Sequence, residues 1–313
     1  MGGDPGTKRI LVIGSAGLVG GNLLRLSSRY PYSIIPTFHT YVPDEYSKTG
    51  LQLDITGPNI ERSLADLRPA CVVNLSCMGV AQSEADPERA RQVHAAGVRG
   101  LAAACKECSI RLVHLSTDMV YSGEKGMPYT LQDEPDPISV YGRTKLAGEE
   151  AILKIGGNFI ILRSALVLGR GRFRKGGFLD WMIDKAEKGE ALTLYADQLR
   201  TPIVVDDLVD IIFKLAASSY IGTLLAGGDE SFNRVEIGEK LLSSLRLPHS
   251  LIKPILAAEQ KSSVPLQRDL RLDNARLKKI LGGKKFMRLD DYFAGLFQPP
   301  HPIPLPQRGE GAL

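Results

Sequence analysis

Tyr141-Gly142-Arg143-Thr144-Lys145 sets a phenol four residues before an ammonium. On a helix, which the following run from Leu146 to Leu153 predicts, the two lie one turn apart on one face. A nearby cation favours phenolate and would lower the tyrosine pKa from its usual value of about 10, so the pair suits proton transfer. The same spacing also arises on any amphipathic helix with a tyrosine edge and a solvated lysine. Upstream, the run from Arg111 to Asp118 reads as a strand ending in hydroxyls, Ser116 and Thr117. Ligands of parallel sheets gather at the carboxyl ends of strands, which would turn Ser116 and Thr117 toward a substrate, although threonine is common in strands and serine in turns.

These residues need a sheet to hold them, and the chain supplies one. Lys8 to Ile13 is a short apolar run of the kind that makes a strand buried on both faces. It runs into Gly14-Ser15-Ala16-Gly17-Leu18-Val19-Gly20, where glycines let the backbone turn tightly and approach a pyrophosphate at a helix start. Glycine-rich turns also occur for packing alone. The second strand, Ser33 to Phe38, ends in Phe38-His39-Thr40 with no acidic residue to hold a ribose hydroxyl. Thr37, His39 and Thr40 could accept a ribose phosphate, which favours NADP(H) with NAD(H) still open, or they could simply begin a surface loop. Asp54, after a third short strand, could meet an adenine amino group or cap the helix from Pro58 to Leu67.

Further apolar runs at Cys71 to Leu75 and Phe159 to Arg163 alternate with helices at Glu88 to Lys106 and from Tyr141 onward. Past residue 165 the alternation becomes irregular. The stretch from Gly169 to Gly177 carries Arg170, Arg172, Arg174 and Lys175, either solvated surface or a mobile clamp on an anionic substrate. Helices are expected from Asp206 to Ala217 and from Asn233 to Leu245. The proline- and glycine-rich residues 298–313 read as an extended or disordered tail.

Composition bounds the function. The chain has 313 residues, 43% hydrophobic and 24% charged, enough for one large domain or two joined ones. Lys plus Arg number 39 against 35 Asp plus Glu, a net of +4 too mild and too dispersed to predict nucleic-acid binding. No apolar run has the length of a membrane span, and the start lacks the apolar region of a secretory signal, so the expected location is cytoplasmic. Of Cys71, Cys77, Cys105 and Cys108, the pair Cys105 and Cys108 has redox or zinc-knuckle spacing, but it ends an alanine-rich helical run with no second close pair to complete a site, so helix-packing thiols and no metal site are expected.

Taken together, the Gly14 to Gly20 turn, Ser116-Thr117-Asp118 and Tyr141 to Lys145 resemble the extended short-chain dehydrogenase/reductases. The resemblance is nearest to the dTDP-4-dehydrorhamnose reductases, through Leu115 to Tyr121, Pro137 to Glu149 and Arg200-Thr201-Pro202. It implies an α/β fold: a Rossmann-type doubly wound parallel sheet over residues 7–165 with returning segments from 200–226, and a smaller C-terminal substrate-binding lobe over residues 166–297. It implies an NAD(P)H-dependent reductase of a 4-keto sugar nucleotide, with a homodimer open. Tyr141 would protonate the carbonyl oxygen, Thr117 would hold it, and Lys145 would lower the tyrosine pKa and bind the nicotinamide ribose. Cofactor contacts are expected at Gly14, Ser15, Ala16, Gly17, Leu18, Val19, Gly20, His39, Asp54, Ile55, Leu75 and Ser76. Substrate contacts are expected at Met78, Asp118, Arg172 and Arg200, with the substrate between Thr117, Tyr141 and the basic loop.

Departures from the family pattern fall at Leu75-Ser76-Cys77-Met78, at His94 where asparagine is common, and at Val264-Pro265 where arginine-proline is expected. Met119 after Asp118 argues against a sugar-nucleotide dehydratase. An epimerase, or a cofactor-binding regulatory subunit like that of methionine adenosyltransferase, stays open.

Overall fold

The structure is a computed structural model in which residues 7–259 and 264–297 are described. The proline-rich tail expected over 298–313 lies outside them. Seven strands form one sheet: β1 (Lys8–Ile13), β2 (Tyr32–Phe38), β3 (Leu51–Gln52), β4 (Cys71–Asn74), β5 (Arg111–Thr117), β6 (Phe159–Ser164) and β7 (Gly222–Ala226). All pair in parallel, in the order β7-β6-β5-β4-β1-β2-β3.

Successive residues of β1 serve opposite faces. Ile10 and Val12 pack with the helices Leu18–Leu26 and Val205–Ala217, whereas Leu11 and Ile13 pack with Ile60–Leu67 and Val98–Glu107. Burial on both faces is why these strands are continuous apolar runs rather than alternating ones. The chain order reverses between β1 and β4, and a crevice opens at the carboxyl ends of strands at such a switch point.

A separate apolar core holds the rest together, with Leu179, Met182 and Ile183 of the helix Gly177–Glu187 clustered with Ile237, Leu241 and Leu242 of the helix Arg234–Leu245 and with Phe293. Around it, three two-stranded parallel ladders join Val167–Leu168 to Ile203–Val204, Leu192–Tyr195 to Ile252–Ile255, and Leu199–Arg200 to Asp269–Leu270.

One expected helix is interrupted. The stretch from Pro87 to Glu107 is helical throughout but passes through a π-turn at Gln92–Gly97. Such a bulge redirects side chains without ending the helix. Here it presses the His94 carbonyl against Gly148, where a Cβ would overlap that oxygen.

Candidate active site

The helix Val140–Ile155 begins at Ser139, whose hydroxyl accepts from the Gly142 amide at 3.0 Å. Gly142 packs so closely on the turn after β5 that a Cβ there would overlap the Met119 carbonyl. That contact brings Tyr141 beside Thr117, and the two hydroxyls are hydrogen-bonding neighbours. Thr117 also accepts from the Met119 amide at 3.2 Å and donates to Asp118 at 3.1 Å. Ser116, expected to face a substrate, gives its hydroxyl to the buried Glu149 instead.

Burial dominates the electrostatics of the pair. Burial pushes the Tyr141 phenol well above its ordinary pKa, and the adjoining Cys77 and Asp118 push the same way. Lys145 is only 2% exposed and spends its ammonium on the Leu115 carbonyl at 2.7 Å, with burial lowering its own pKa. The balance of these influences, with the Thr117 hydroxyl pulling the other way, leaves the phenol above its ordinary value. The phenol is held in the protonated form, which is the state a proton donor needs.

Behind this pair lies a buried polar network. The Met78 amide donates to His94 Nε2 at 2.9 Å, and His94 Nδ1 meets the Thr144 hydroxyl at 2.9 Å. Because Nε2 accepts, the ring proton sits on Nδ1 and is donated to Thr144, whose own hydrogen goes back to the helix carbonyls of Val140 or Tyr141. Burial and Lys145 hold the His94 pKa down at about 3, so the imidazole stays neutral. This histidine ties the Cys77-Met78 loop to the helix carrying Tyr141, a larger role than packing.

Two cavities meet at these residues. The first, about 370 Å³, is lined by Thr117, Asp118, Tyr141, Gln198, Arg200 and Arg234, among others. Asp118 is buried and its carboxyl is raised by that burial, against the pull of Arg200, the Thr117 hydroxyl and Arg234. Arg200 is committed to the carbonyls of Leu199, Gln267 and Arg268, fixing the wall rather than reaching out. Arg234 donates weakly to Gln198 at 3.4 Å and stacks on Phe178, and its Nη1 has no partner among the described residues. Burial and the neighbouring Arg200 lower its pKa to about 9.

The second cavity, about 580 Å³, follows the switch point of the sheet. Gly14, Ala16, Gly17, Leu75 and Ser76 line its centre, and His39, Asp54 and Ile55 one end. Gly14 has φ +86°, and a Cβ there would sit 2.8 Å from the Leu75 carbonyl, so the turn tolerates only glycine. Gly20 is pinned in the same way against the Gly14 carbonyl. Leu18, Val19 and Gly20 form the first turn of a helix whose start at Gly17 has no side-chain cap. Its free amides suit a diphosphate, and the groove as a whole fits a dinucleotide. Ser15 contributes backbone only, because its buried side chain bonds the Val12 carbonyl and the Thr37 amide. Asp54 lies 3.3 Å from His39 and 3.6 Å from Arg89, and bonds Thr56, which holds its carboxyl below the usual range despite partial burial.

Of the expected substrate contacts, Asp118 and Arg200 line the smaller cavity and two others do not. Met78 lines the dinucleotide groove, and Arg172 lies against Gly21 of the helix Leu18–Leu26, paired with Glu45 at 2.9 Å. Gln198, Arg200 and Arg234 wall the smaller cavity, whereas Phe173 of the basic loop packs edge-on against Tyr46. Cys77 is exposed in the groove with its sulfur 3.6 Å from the Tyr141 oxygen. His94, Gln198 and Arg234 were not assigned to the site from sequence; Asn233 capping a helix directly before Arg234 was the one local signal available. Among the described residues no cluster of His, Cys, Asp or Glu could hold a metal ion, and no helix is long and apolar enough to cross a membrane.

Comparison with known proteins gives a consistent set of likenesses. Residues 8–287 match the family described as RmlD substrate binding domain. The "Probable low-salt glycan biosynthesis reductase Agl14" of Haloferax volcanii is 28% identical over 288 residues, covering 90% of this chain and 95% of that protein. A dTDP-4-dehydrorhamnose reductase of Sinorhizobium fredii is 36% identical over 159 residues, about half of each chain at 50% and 52%. The crystal structure of dTDP-4-dehydrorhamnose reductase from Bacillus anthracis, in complex with NADP, superposes with a TM-score of 0.81 at 24% identity, covering 93% of this chain and 99% of that one.

Proposed function

Because the chain belongs to the RmlD substrate-binding-domain family of extended short-chain dehydrogenase/reductases, we propose that it is an NADP(H)-dependent reductase of a 4-keto sugar nucleotide. The observation that carries this reading is a protonated phenol and a threonine hydroxyl together in a pocket that adjoins a dinucleotide groove. The bound dinucleotide supplies the hydride. Thr117 turns its hydrogen from Asp118 to the carbonyl oxygen, and with Tyr141 it holds that oxygen between two hydroxyls, where charge develops as the carbon is reduced. Tyr141 then gives that oxygen its proton, leaving an alcohol and a phenolate. Lys145, buried one turn away, offsets the phenolate charge while anchored on Leu115. His94 and Gly142 keep the loop and the helix in register so that the oxygen meets both hydroxyls at once. Arg234, with an unpartnered Nη1 in the same wall, would meet an acceptor of the substrate.

The test is a panel of nucleotide-linked 4-keto sugars with NADPH, followed by nicotinamide absorbance. The expected result is one NADPH consumed per keto sugar reduced. Interconversion of sugars without consumption would assign an epimerase. Absence of turnover, with stable co-purification of a second enzyme, would assign a regulatory subunit.

A further inference from the structure

The basic loop at 170–175 has a role that its charge alone does not reveal. Three of its four cations are already committed. Arg170 pairs with Asp180 at 2.7 Å, Arg172 with Glu45 at 2.9 Å, and Lys175 with Asp184 at 2.5 Å. The loop is moored across the first helix beside the sheet: Asn22 donates to the Arg170 carbonyl at 2.9 Å, the Arg172 Cβ and the Phe173 ring crowd Gly21, and Phe173 meets Tyr46 edge-on at 6.0 Å. Arg174 alone among the four has no carboxylate partner among the described residues. Its guanidinium lies 4.7 Å from the centre of the Tyr41 ring, exposed, and it lines the dinucleotide groove beside His39, Thr40 and Tyr41.

That end of the groove follows the carboxyl end of β2, where the adenosine ribose of a dinucleotide lies in folds of this kind. No acidic residue stands at Phe38-His39-Thr40 to accept a ribose hydroxyl. The nearest carboxylate, Asp54, is turned to His39, Arg89 and Thr56. A planar guanidinium stacked on an aromatic ring keeps its donors free along its edge, the geometry that takes a phosphate by two parallel bonds.

We propose that Arg174 reads the 2′-phosphate that distinguishes NADPH from NADH, and that the 170–175 loop is a strap across the cofactor rather than a clamp on the sugar. The inference rests on the dinucleotide reading of the groove. It assigns cofactor choice to a residue from beyond β6, outside the strands that build the groove. His39 is a poor substitute, since its imidazole is directed at Asp54.

The test needs no sugar substrate: titration of the purified full chain with NADPH and with NADH, followed by nicotinamide fluorescence, for wild type, Arg174→Gln and Arg174→Lys. A charge-assisted contact of this kind is worth about 1.5 to 3 kcal/mol, so Arg174→Gln should weaken NADPH by roughly 10- to 100-fold and leave NADH unchanged. Arg174→Lys, which keeps the charge without the fork, should retain part of the preference. Equal weakening of both dinucleotides, or no weakening of NADPH, would overturn the proposal while the reductase reading stands. A wild-type chain that binds neither dinucleotide would overturn both.

Discussion

Tyr141 is a phenol that its surroundings keep protonated, and this fixes the sign of the pH dependence. Burial, Cys77 and Asp118 all raise its pKa, so the donating form persists through the neutral range and is lost only as pH rises toward the shifted value. His94 stays neutral, with a pKa near 3, and adds no step in that range. The rate of carbonyl reduction should therefore be flat from about pH 6 to 8 and fall only on the alkaline side, where Arg234, held down at about 9, loses its charge first and the phenol follows above the ordinary tyrosine value of about 10. Cys77→Ala removes one raising influence and should shift the alkaline limb to lower pH. A limb that moves upward, or a fall on the acidic side shared by both proteins, would contradict the assignment. Tyr141, Lys145 and Thr117 were legible in the sequence because their relations are local, one helical turn or one strand end. His94 was not, since its partners Met78 and Thr144 meet it only through the π-turn.

At the scale of elements, the helix Val140–Ile155 is docked by a buried ion pair. Arg163 of β6 gives its Nε and Nη2 donors to Glu149, with Nη2 at 2.6 Å, and its Nη1 to the Tyr121 hydroxyl at 2.8 Å. Glu149 is fully buried and Arg163 nearly so. Removing one partner leaves an uncompensated charge, so Glu149→Ala should cost about 3 to 5 kcal/mol in denaturant unfolding. Glu149→Gln, which keeps the shape and some hydrogen bonds, should cost less. Equal stability of wild type and Glu149→Ala would show that the pair does not hold the helix. The sequence marked Glu149 as part of a motif, but the motif does not say that its carboxylate faces inward. The strands at the centre of the sheet were readable because burial on both faces makes them unbroken apolar runs. The short ladders of the second core, two to four residues each, carry no such pattern and emerge only from pairing between distant segments.

For the whole molecule, the sheet's switch point and the wall contributed by Gln198, Arg200 and Arg234 create two adjoining cavities with Tyr141 at their junction. The glycine turn foretold the dinucleotide groove, because its backbone demands are local. The smaller cavity gathers residues far apart along the chain, from Thr117 to Arg234, so no local pattern marked Arg234 as part of it. Tyr141→Phe is the most direct test, read by two signals on one sample: NADPH binding by fluorescence and NADPH oxidation in the presence of a 4-keto sugar nucleotide. Losing the phenolic proton while keeping the ring should leave NADPH affinity unchanged and lower turnover by about 100-fold or more, the usual share of a positioned acid. Turnover equal to wild type in a variant that binds NADPH normally would contradict the assignment of Tyr141 as the proton donor.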